Sequence, residues 1–285
     1  MIHFERGVPL DRKTSFRIGG IAKEFYAPRS FDELKECLAL VAARGRTPFI
    51  LGGGANTLFP DGEFQRPVIS TENLRRIDVE GRVIRAECGV RLTRLIQTAI
   101  RHGLEGLEGF VGIPGTAGGA VAMNAGGAGW SFGDRVRELG LLRLDGGPHI
   151  ELKGHEVPWS YRSANLKNWV VAWVTLDLAP GNAGDLRAAA REFIRKKSAA
   201  QPLADASAGC IFKNQPGVSA GRCIDQLGLK GLSRGGAKIS ERHANFIVNE
   251  SGSARAEDVL ALLEDVRRRV EASFGVWLET EIVLA

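Results

Sequence analysis

The sequence predicts an α+β protein with more than one compact unit, and three observations support this. The chain has 285 residues, which is long for a single small domain. Amphipathic helix patterns and short strand-like runs both occur along it. The 36 glycines, nearly double the usual fraction of about 7 %, gather in clusters.

The composition is that of a globular protein, with 44 % apolar and 25 % charged residues. The formal net charge of +5 is small, and the basic residues are scattered along the chain. We therefore expect no nucleic acid partner. A mildly basic protein does suit small anionic ligands such as nucleotides or diphosphates.

Four cysteines, Cys37, Cys88, Cys210 and Cys223, are present without a CxxC pair or a histidine at metal-ligand spacing. We expect no metal. The N-terminal stretch lacks an apolar signal region, and no apolar run of about 18 residues occurs. These features predict a cytosolic location, no membrane association and reduced thiols.

The first three quarters of the chain carry three helix patterns. The first, residues 29–45, begins with a capping box formed by Ser30 and Glu33 and ends at Gly45. Its apolar face consists of Leu34, Cys37, Leu38 and Val41. Two further helices are predicted within residues 91–103 and 184–198, and short strands within 47–51 and 83–90. A boundary is expected at Gln201–Pro202.

The last third contains a helix-like stretch at 221–227, a strand-like stretch at 243–251 and a strongly amphipathic helix at 253–275. The buried stripe predicted for that helix is Val259, Leu262, Leu263, Val266 and Val270. Alternation in VWLETEIVLA predicts a final strand. It places Glu279 and Glu281 on one face with Trp277, and Val276, Leu278 and Ile282 on the other. A solvated strand edge is an alternative interpretation of the two carboxylates.

Two glycine clusters indicate a ligand. LGGGANTL, residues 51–58, follows a strand, and its glycines allow backbone N–H groups to converge on a diphosphate. A plain tight loop is the alternative. GFVGIPGTAGGAVAMNAGG, residues 109–127, has a composition that we do not expect to fill a core. It does permit the backbone to approach a large, flat ligand closely. Without a GxGxxG fingerprint, an extended flavin dinucleotide fits the two clusters better than NAD.

Seven segments, taken in order, resemble one family, the UDP-N-acetylenolpyruvoylglucosamine reductases of bacterial cell-wall synthesis, in its compact form. They are TSFRIGG (14–20), LGGGANTL (51–58), GIPGTAGGAVAMNAG (112–126), YRSANLK (161–167), SAGCIFKN (207–214), GLKGLSRGGAKISERHANFIVN (228–249) and FGVWLETEI (274–282). The resemblance implies a vanillyl-alcohol-oxidase-like two-part FAD-binding fold, residues 1–54 and 55–200. It also implies a C-terminal α+β substrate-binding domain, residues 201–285, whose last strand carries Glu281.

The resemblance also implies the chemistry: FAD as cofactor, NADPH as reductant, and a nucleotide-sugar substrate whose enolpyruvyl group receives hydride. Cys210 stands where the family has its proton-donating serine, Arg162 matches the arginine near the enolpyruvyl carboxylate, and Glu281 matches the catalytic glutamate. Neither glycine cluster contains a His or Cys, so we expect the flavin to be bound non-covalently. A monomer is expected.

The remaining site residues are binding residues. Those expected to bind the cofactor are Gly52, Gly53, Gly54, Ala55, Asn56, Thr57, Leu58, Ile113, Pro114, Gly115, Thr116, Gly118, Gly119, Ala122 and Asn124. Those expected to contact the substrate are Tyr161, Lys213 and Asn214, and Lys213 also suits an NADPH phosphate.

Alternatives stay open at each level. Cys210 could be an inert buried thiol, and Arg162 a surface salt-bridge partner. Cys223 and His243 are interpreted as structural. The competing functions are another FAD-dependent oxidase of the same fold, acting on an alcohol, and a non-catalytic nucleotide-sugar sensor.

Overall fold

The computed structural model describes residues 3–127 and 129–285. Its helices are Phe31–Ala42 (α1), Leu92–Arg101 (α2), Ala117–Ala122 (α3), Ala183–Ala200 (α4), Ala220–Gln226 (α5) and Ala256–Phe274 (α6). Its strands are Val8–Pro9 (β1), Ile21–Ala22 (β2), Phe25–Tyr26 (β3), Phe49–Leu51 (β4), Thr57–Leu58 (β5), Glu63–Phe64 (β6), Val68–Ser70 (β7), Ile77–Glu80 (β8), Val83–Glu87 (β9), Leu104–Glu105 (β10), Gly126–Gly127 (β11), Trp130–Ser131 (β12), Val136–Arg143 (β13), His149–Lys153 (β14), Trp169–Asp177 (β15), Ala179–Pro180 (β16), Ser207–Cys210 (β17), Ser233–Arg234 (β18), Ala237–Ile239 (β19), Phe246–Val248 (β20) and Val283–Leu284 (β21).

The chain divides into two compact units, each made of separate stretches. The first unit comprises the chain up to Arg6, Glu24–Gly53 and Arg66–Lys196. The second comprises Gly7–Lys23, Gly54–Gln65 and Lys197–Ala285. This division follows contacts within the fold, and the three-part division at residues 54 and 200 stays a prediction.

The first unit is built around an antiparallel sheet of order β14-β13-β15-β9-β8 and a parallel sheet of order β3-β7-β4. Strand β15 lies in the middle of the larger sheet, and seven consecutive residues, Val170–Leu176, are buried. The capping expectation for α1 is confirmed where Ser30 Oγ accepts the N–H of Glu33 at 3.2 Å. All four residues of its expected apolar face are buried.

The second unit contains an antiparallel sheet of order β17-β20-β19-β18, with α5 and α6 packed in the same core. Every residue of the expected stripe of α6 is buried. The first turn of α6 is capped by a residue that is distant in sequence. The Asp61 carboxylate accepts the N–H groups of Ala256 and Glu257 at 3.0 and 3.1 Å. Gly275 ends the helix at a φ of 66°.

Candidate active site

The two glycine clusters meet within the first unit. A Cβ atom on Gly52 would lie 2.9 Å from Thr116 Oγ1, and one on Gly53 would lie 2.8 Å from the Cα of Gly115. Side chains at these positions would therefore overlap the start of α3, and glycine lets the loop after β4 pack directly against it. The structure thus brings together two segments that sequence patterns had assigned separately to the cofactor.

Helix α3 occupies the middle of the second cluster. Thr116 begins it, with its side-chain oxygen accepting the N–H of Gly119 at 3.4 Å. Ala117 and Val121 are fully buried, so the expectation that this composition does not fill a core is wrong for the helix. A Cβ on Gly118 would lie 2.7 Å from the Cβ of Cys88, which shows that this glycine lets α3 pack closely. Burial raises the pKa of the Cys88 thiol to about 12.

Asn124 follows α3 and connects it to two later loops. Its Oδ1 accepts the N–H of Gly133 at 3.0 Å and the hydroxyl of Ser131 at 2.9 Å. Its Nδ2 donates to the carbonyl of Ser160 at 3.0 Å. The amide of Asn124 thus has internal partners, and its contact to a cofactor stays a prediction. Among the other expected cofactor residues, Ile113 and Pro114 lie in the loop before α3, and Ala122 is its last residue.

The residue expected to bind the substrate carboxylate, Arg162, is held close to the same segment. Its Nη1 donates to the carbonyl of Gly126 at 2.7 Å, and its guanidinium lies 5.1 Å from the ring centroid of Tyr161. Arg162 has a φ of 58°, an uncommon conformation for a residue with a side chain. Two residues further on, the N–H of Ala164 bonds the carbonyl of Ala122 at 3.1 Å. Tyr161 is 52 % exposed.

The second half of the first glycine cluster belongs to the second unit, where it meets the C-terminus. Asn56 Nδ2 donates to the carbonyl of Glu281 at 3.0 Å, and the carbonyl of Asn56 accepts the N–H of Val283 at 2.9 Å. Strands β5 and β21 then pair in parallel. Thr57 and Leu58 are both buried, and Gly54 has a φ of 62°.

Cys210 is the last residue of β17 and follows an irregularity in that strand. Ser207 pairs with Val248 and Cys210 with Phe246, so β17 has one more residue than β20 over the same length. Gly209 in this bulge has a φ of 81°, which glycine adopts at little cost. Bulges redirect side chains and occur often beside active sites. Cys210 is half-buried.

The segment after Cys210 pairs with the segment that contains Glu281. The N–H of Glu281 donates to the carbonyl of Ile211 at 2.7 Å, and the N–H of Lys213 donates to the carbonyl of Glu279 at 2.8 Å. The expectation that Glu281 lies in the last strand is wrong, because that strand is only Val283–Leu284. The chain changes its pairing partner between residues 281 and 283, from residues 211–213 to residues 56–58. The expected alternation in burial survives, since Leu278 and Ile282 are buried and Trp277 is exposed.

The two substrate residues expected after Cys210 have partners in the same unit. Lys213 Nζ lies 3.2 Å from the carboxylate of Glu279. Asn214 is exposed, and its Oδ1 accepts the N–H of Ala220, the first residue of α5, at 3.0 Å. Asn214 therefore helps to hold the start of α5. Its contact with the substrate stays a prediction.

Sequence patterns missed two side chains that hold these segments. Asn245 bonds the backbone of Phe212, and Arg267 on α6 donates from Nε to the carbonyl of Leu278 at 2.9 Å. A polar residue inside the apolar run of HANFIVN was the available signal for Asn245. His243 is consistent with a structural role, because burial lowers its pKa and its Nδ1 accepts the N–H of Asn245 at 3.3 Å.

None of the cysteines within the described residues forms a disulfide, and Cys37 and Cys223 are buried. In that same part of the chain, no three acidic, histidine or cysteine side chains are grouped so as to hold a metal ion. No helix there has both the length and the apolar character needed to cross a membrane.

Comparisons with known proteins first define the class. Residues 22–150 match the family model of an FAD binding domain, the region that contains both glycine clusters. The fold is therefore that of an FAD-binding protein of mixed α+β structure.

The particular family follows from the rest of the chain. Residues 201–285 match the C-terminal domain of UDP-N-acetylenolpyruvoylglucosamine reductase. The reductase of Moorella thermoacetica is 42 % identical over 96 % of this chain and 90 % of its own length. That of Alkalilimnicola ehrlichii is 41 % identical over 96 % of this chain and 92 % of its own. A crystal structure of the Thermus caldophilus reductase has a TM-score of 0.85 at 36 % identity, covering 100 % of this chain and 99 % of that one. The chain belongs to the UDP-N-acetylenolpyruvoylglucosamine reductase family.

Proposed function

We propose that this protein reduces UDP-N-acetylglucosamine enolpyruvate to UDP-N-acetylmuramate with NADPH, through FAD, in the synthesis of peptidoglycan precursors. The observation that carries the proposal is full-length similarity to reductases of this substrate. The arrangement of the second unit supports it. There, the segments containing Cys210 and Glu281 are hydrogen-bonded neighbours.

The residues of the glycine clusters fit a flavin dinucleotide. Glycine at 52 and 53 lets the loop after β4 pack against Gly115 and Thr116, because a Cβ atom there would overlap them. Backbone N–H groups of two adjacent glycine-rich segments can converge on a diphosphate. We propose that these clusters hold the FAD diphosphate non-covalently. Bound there, FAD would supply hydride transfer from NADPH to the enolpyruvyl double bond.

Arg162 is proposed to bind the substrate carboxylate. Hydride addition places negative charge on the carboxyl-bearing end of the substrate, and a guanidinium can hold a carboxylate through two hydrogen bonds. The hydrogen bond from its Nη1 to Gly126 and its contact with Tyr161 restrict the orientation of the guanidinium. Such a fixed donor stabilises developing charge without having to reorganise during the reaction.

Cys210 is proposed to supply the proton that completes the reduction. Hydride goes to one carbon of the double bond, and the thiol proton of Cys210 goes to the other, leaving a thiolate that solvent reprotonates. A thiol is a stronger acid than the serine hydroxyl that the family uses at this position. Glu281 is proposed to hydrogen-bond the enolic form of the substrate carboxyl group, with Tyr161, Lys213 and Asn214 contacting the diphospho-sugar.

The test is stoichiometric NADPH oxidation that requires the enolpyruvyl nucleotide sugar. We expect one NADPH consumed per substrate under anaerobic conditions, with the flavin released by acid precipitation of the protein. NADPH oxidation that needs oxygen but not the nucleotide sugar would instead indicate an oxidase of the same fold. Substrate binding without NADPH oxidation would indicate a sensor. A cytosolic, monomeric enzyme without nucleic acid or membrane partners is part of this proposal.

A further inference from the structure

A buried side-chain amide fixes the backbone that follows Cys210. Asn245 is only 3 % exposed. Its Oδ1 accepts the N–H of Phe212 at 3.0 Å, and its Nδ2 donates to the carbonyl of Phe212 at 2.8 Å. The main-chain carbonyl of Asn245 also accepts the N–H of Ile211 at 2.9 Å. Asn245 thus bonds the backbone of the two residues directly after the cysteine, Ile211 and Phe212.

The side chain of Asn245 extends the strand ladder past its last backbone hydrogen bond, which the N–H of Ile211 donates to the carbonyl of Asn245. The register of β17 with β20 ends where Cys210 pairs with Phe246. Beyond that pair, the amide of Asn245 satisfies both polar groups of Phe212, as a neighbouring strand would. The amide of Asn245 can bond both backbone groups of Phe212 only when Phe212 lies in one position, because hydrogen bonds are directional.

The opposite edge of the same short segment bonds the C-terminal chain. The carbonyl of Ile211 accepts the N–H of Glu281, and the N–H of Lys213 donates to the carbonyl of Glu279. Residues 211–213 therefore lie between Asn245 on one side and residues 279–281 on the other. A shift of this segment would move Cys210 and Glu281 together.

We infer that Asn245 is a positioning residue for proton transfer by Cys210. This inference rests on the proposed function, and it assigns to Asn245 no contact with the substrate. Loss of the amide leaves two buried backbone groups of Phe212 without their partners, and the segment must move to solvate them. A displacement of about 1 Å at a reacting group can slow a reaction by roughly 10²-fold.

The chain offers a matched control in Asn249, four residues later. It is also 3 % exposed. Its Nδ2 donates to the carbonyl of Phe16 at 3.2 Å, and its Oδ1 accepts the N–H of Ala254 at 3.0 Å. Asn249→Ala therefore removes buried amide bonds in the same unit without touching the segment after Cys210. If Asn245→Ala and Asn249→Ala lose equal stability, a difference between their reoxidation rates reports positioning and not stability.

The experiment mixes reduced holoenzyme anaerobically with UDP-N-acetylglucosamine enolpyruvate and follows flavin reoxidation. For Asn245→Ala we expect a saturating rate about 10- to 100-fold below wild type, a nearly unchanged half-saturating concentration, and unchanged flavin reduction by NADPH. For Asn249→Ala we expect a rate within about twofold of wild type. Asn245→Asp, which keeps the acceptor for the Phe212 N–H, serves if Asn245→Ala does not fold, with the same direction of change.

Two readouts distinguish positioning from a structural role. In a Cys210→Ala background, Asn245→Ala is expected to cause no further slowing, because the group that it positions is gone. Independently of turnover, alkylation of Cys210 by iodoacetamide, followed by mass spectrometry, is expected to be several-fold faster in Asn245→Ala and unchanged in Asn249→Ala.

The outcomes separate the inference from the proposed function. A wild-type enzyme that this substrate does not reoxidise overturns the proposed function and the inference with it. A wild-type enzyme with normal reoxidation, but with equal slowing in both asparagine variants, overturns the inference alone. Multiplicative slowing in the Cys210→Ala background, or equal alkylation rates in all variants, also overturns it.

Discussion

Gly209 is expected to control the placement of Cys210 through backbone conformation alone. Its φ of 81° lies in the left-handed region. No heavy atom lies within 4 Å of a Cβ built on it. Gly209→Ala therefore introduces no steric overlap, and its cost is conformational. For a residue with a side chain, that conformation costs roughly 1–2 kcal/mol, and alanine recovers roughly 0.4–1 kcal/mol by restricting the unfolded chain.

The net expectation is a loss of about 1 kcal/mol in the free energy of unfolding, measured by urea titration. Gly228→Ala is the matched control, because Gly228 has a φ of 65° and equally open space around its Cβ position. Both variants are expected to lose similar stability. Only Gly209→Ala is expected to slow flavin reoxidation by substrate, by roughly 10-fold or more, because only that residue forms the bulge before Cys210.

A Gly209→Ala enzyme that reoxidises its flavin at the wild-type rate would show that the bulge does not control the placement of Cys210. Equal slowing by Gly228→Ala would show the same, since the effect would then follow stability and not the bulge.

Three further predictions concern the second unit and the core of the first. Glu281→Gln is expected to slow substrate reduction by about 10²-fold or more. Glu279→Gln is expected to have a small effect, because the Glu279 side chain is 69 % exposed and pairs with Lys213. Steady-state assays in which Glu279→Gln slowed the enzyme more than Glu281→Gln would contradict the assignment of Glu281. Asp61→Ala removes the cap of α6 and is expected to lower the free energy of unfolding by about 1 kcal/mol, and an unchanged urea midpoint would exclude that role. Burial raises the pKa of Cys88 from 9.0 to about 12, so between these values the unfolded chain loses its proton while the folded chain keeps it. Because of this thiol, the free energy of unfolding should then fall by about 1.4 kcal/mol per pH unit. Cys88→Ala should remove this contribution to the pH dependence of the free energy of unfolding, measured by urea titrations between pH 9 and 11.

Helices with strong local signals could be predicted from the sequence. The capping residues and apolar stripes of α1 and α6 are encoded within a few turns, and burial of both stripes is confirmed. Strand β15 is absent from the predicted elements, although WVVAWVTLD is an apolar run of the kind found in buried central strands. Its neighbours β13 and β9 are distant in sequence, so only the assembled sheet shows its place.

The C-terminus shows where local patterns fail. Alternation in VWLETEIVLA correctly predicted the burial of Leu278 and Ile282, but not the end of pairing at Glu281. That end depends on the carbonyl of Asn56, which lies 227 positions from its partner Val283. No window of neighbouring residues contains such information.

The site residues also differ in how far they could be predicted from the sequence. The residues expected to be catalytic were assigned by resemblance, because no spacing rule connects Arg162, Cys210 and Glu281. The positioning role of Asn245 could not be predicted, because it depends on hydrogen bonds to Phe212 formed only in the folded sheet. Polar residues within buried strands are the sequence feature to examine in such cases.

The most direct test of proton donation by Cys210 is single-turnover flavin reoxidation in Cys210→Ala, monitored by anaerobic rapid mixing. In the proposed mechanism, only the half-reaction with substrate needs the thiol proton. We predict unchanged flavin reduction by NADPH and reoxidation by UDP-N-acetylglucosamine enolpyruvate slowed by roughly 10²–10⁴-fold. We also predict recovery of much of that rate in Cys210→Ser. Reoxidation of the Cys210→Ala enzyme at the wild-type rate would contradict the account and show that Cys210 is not the proton donor.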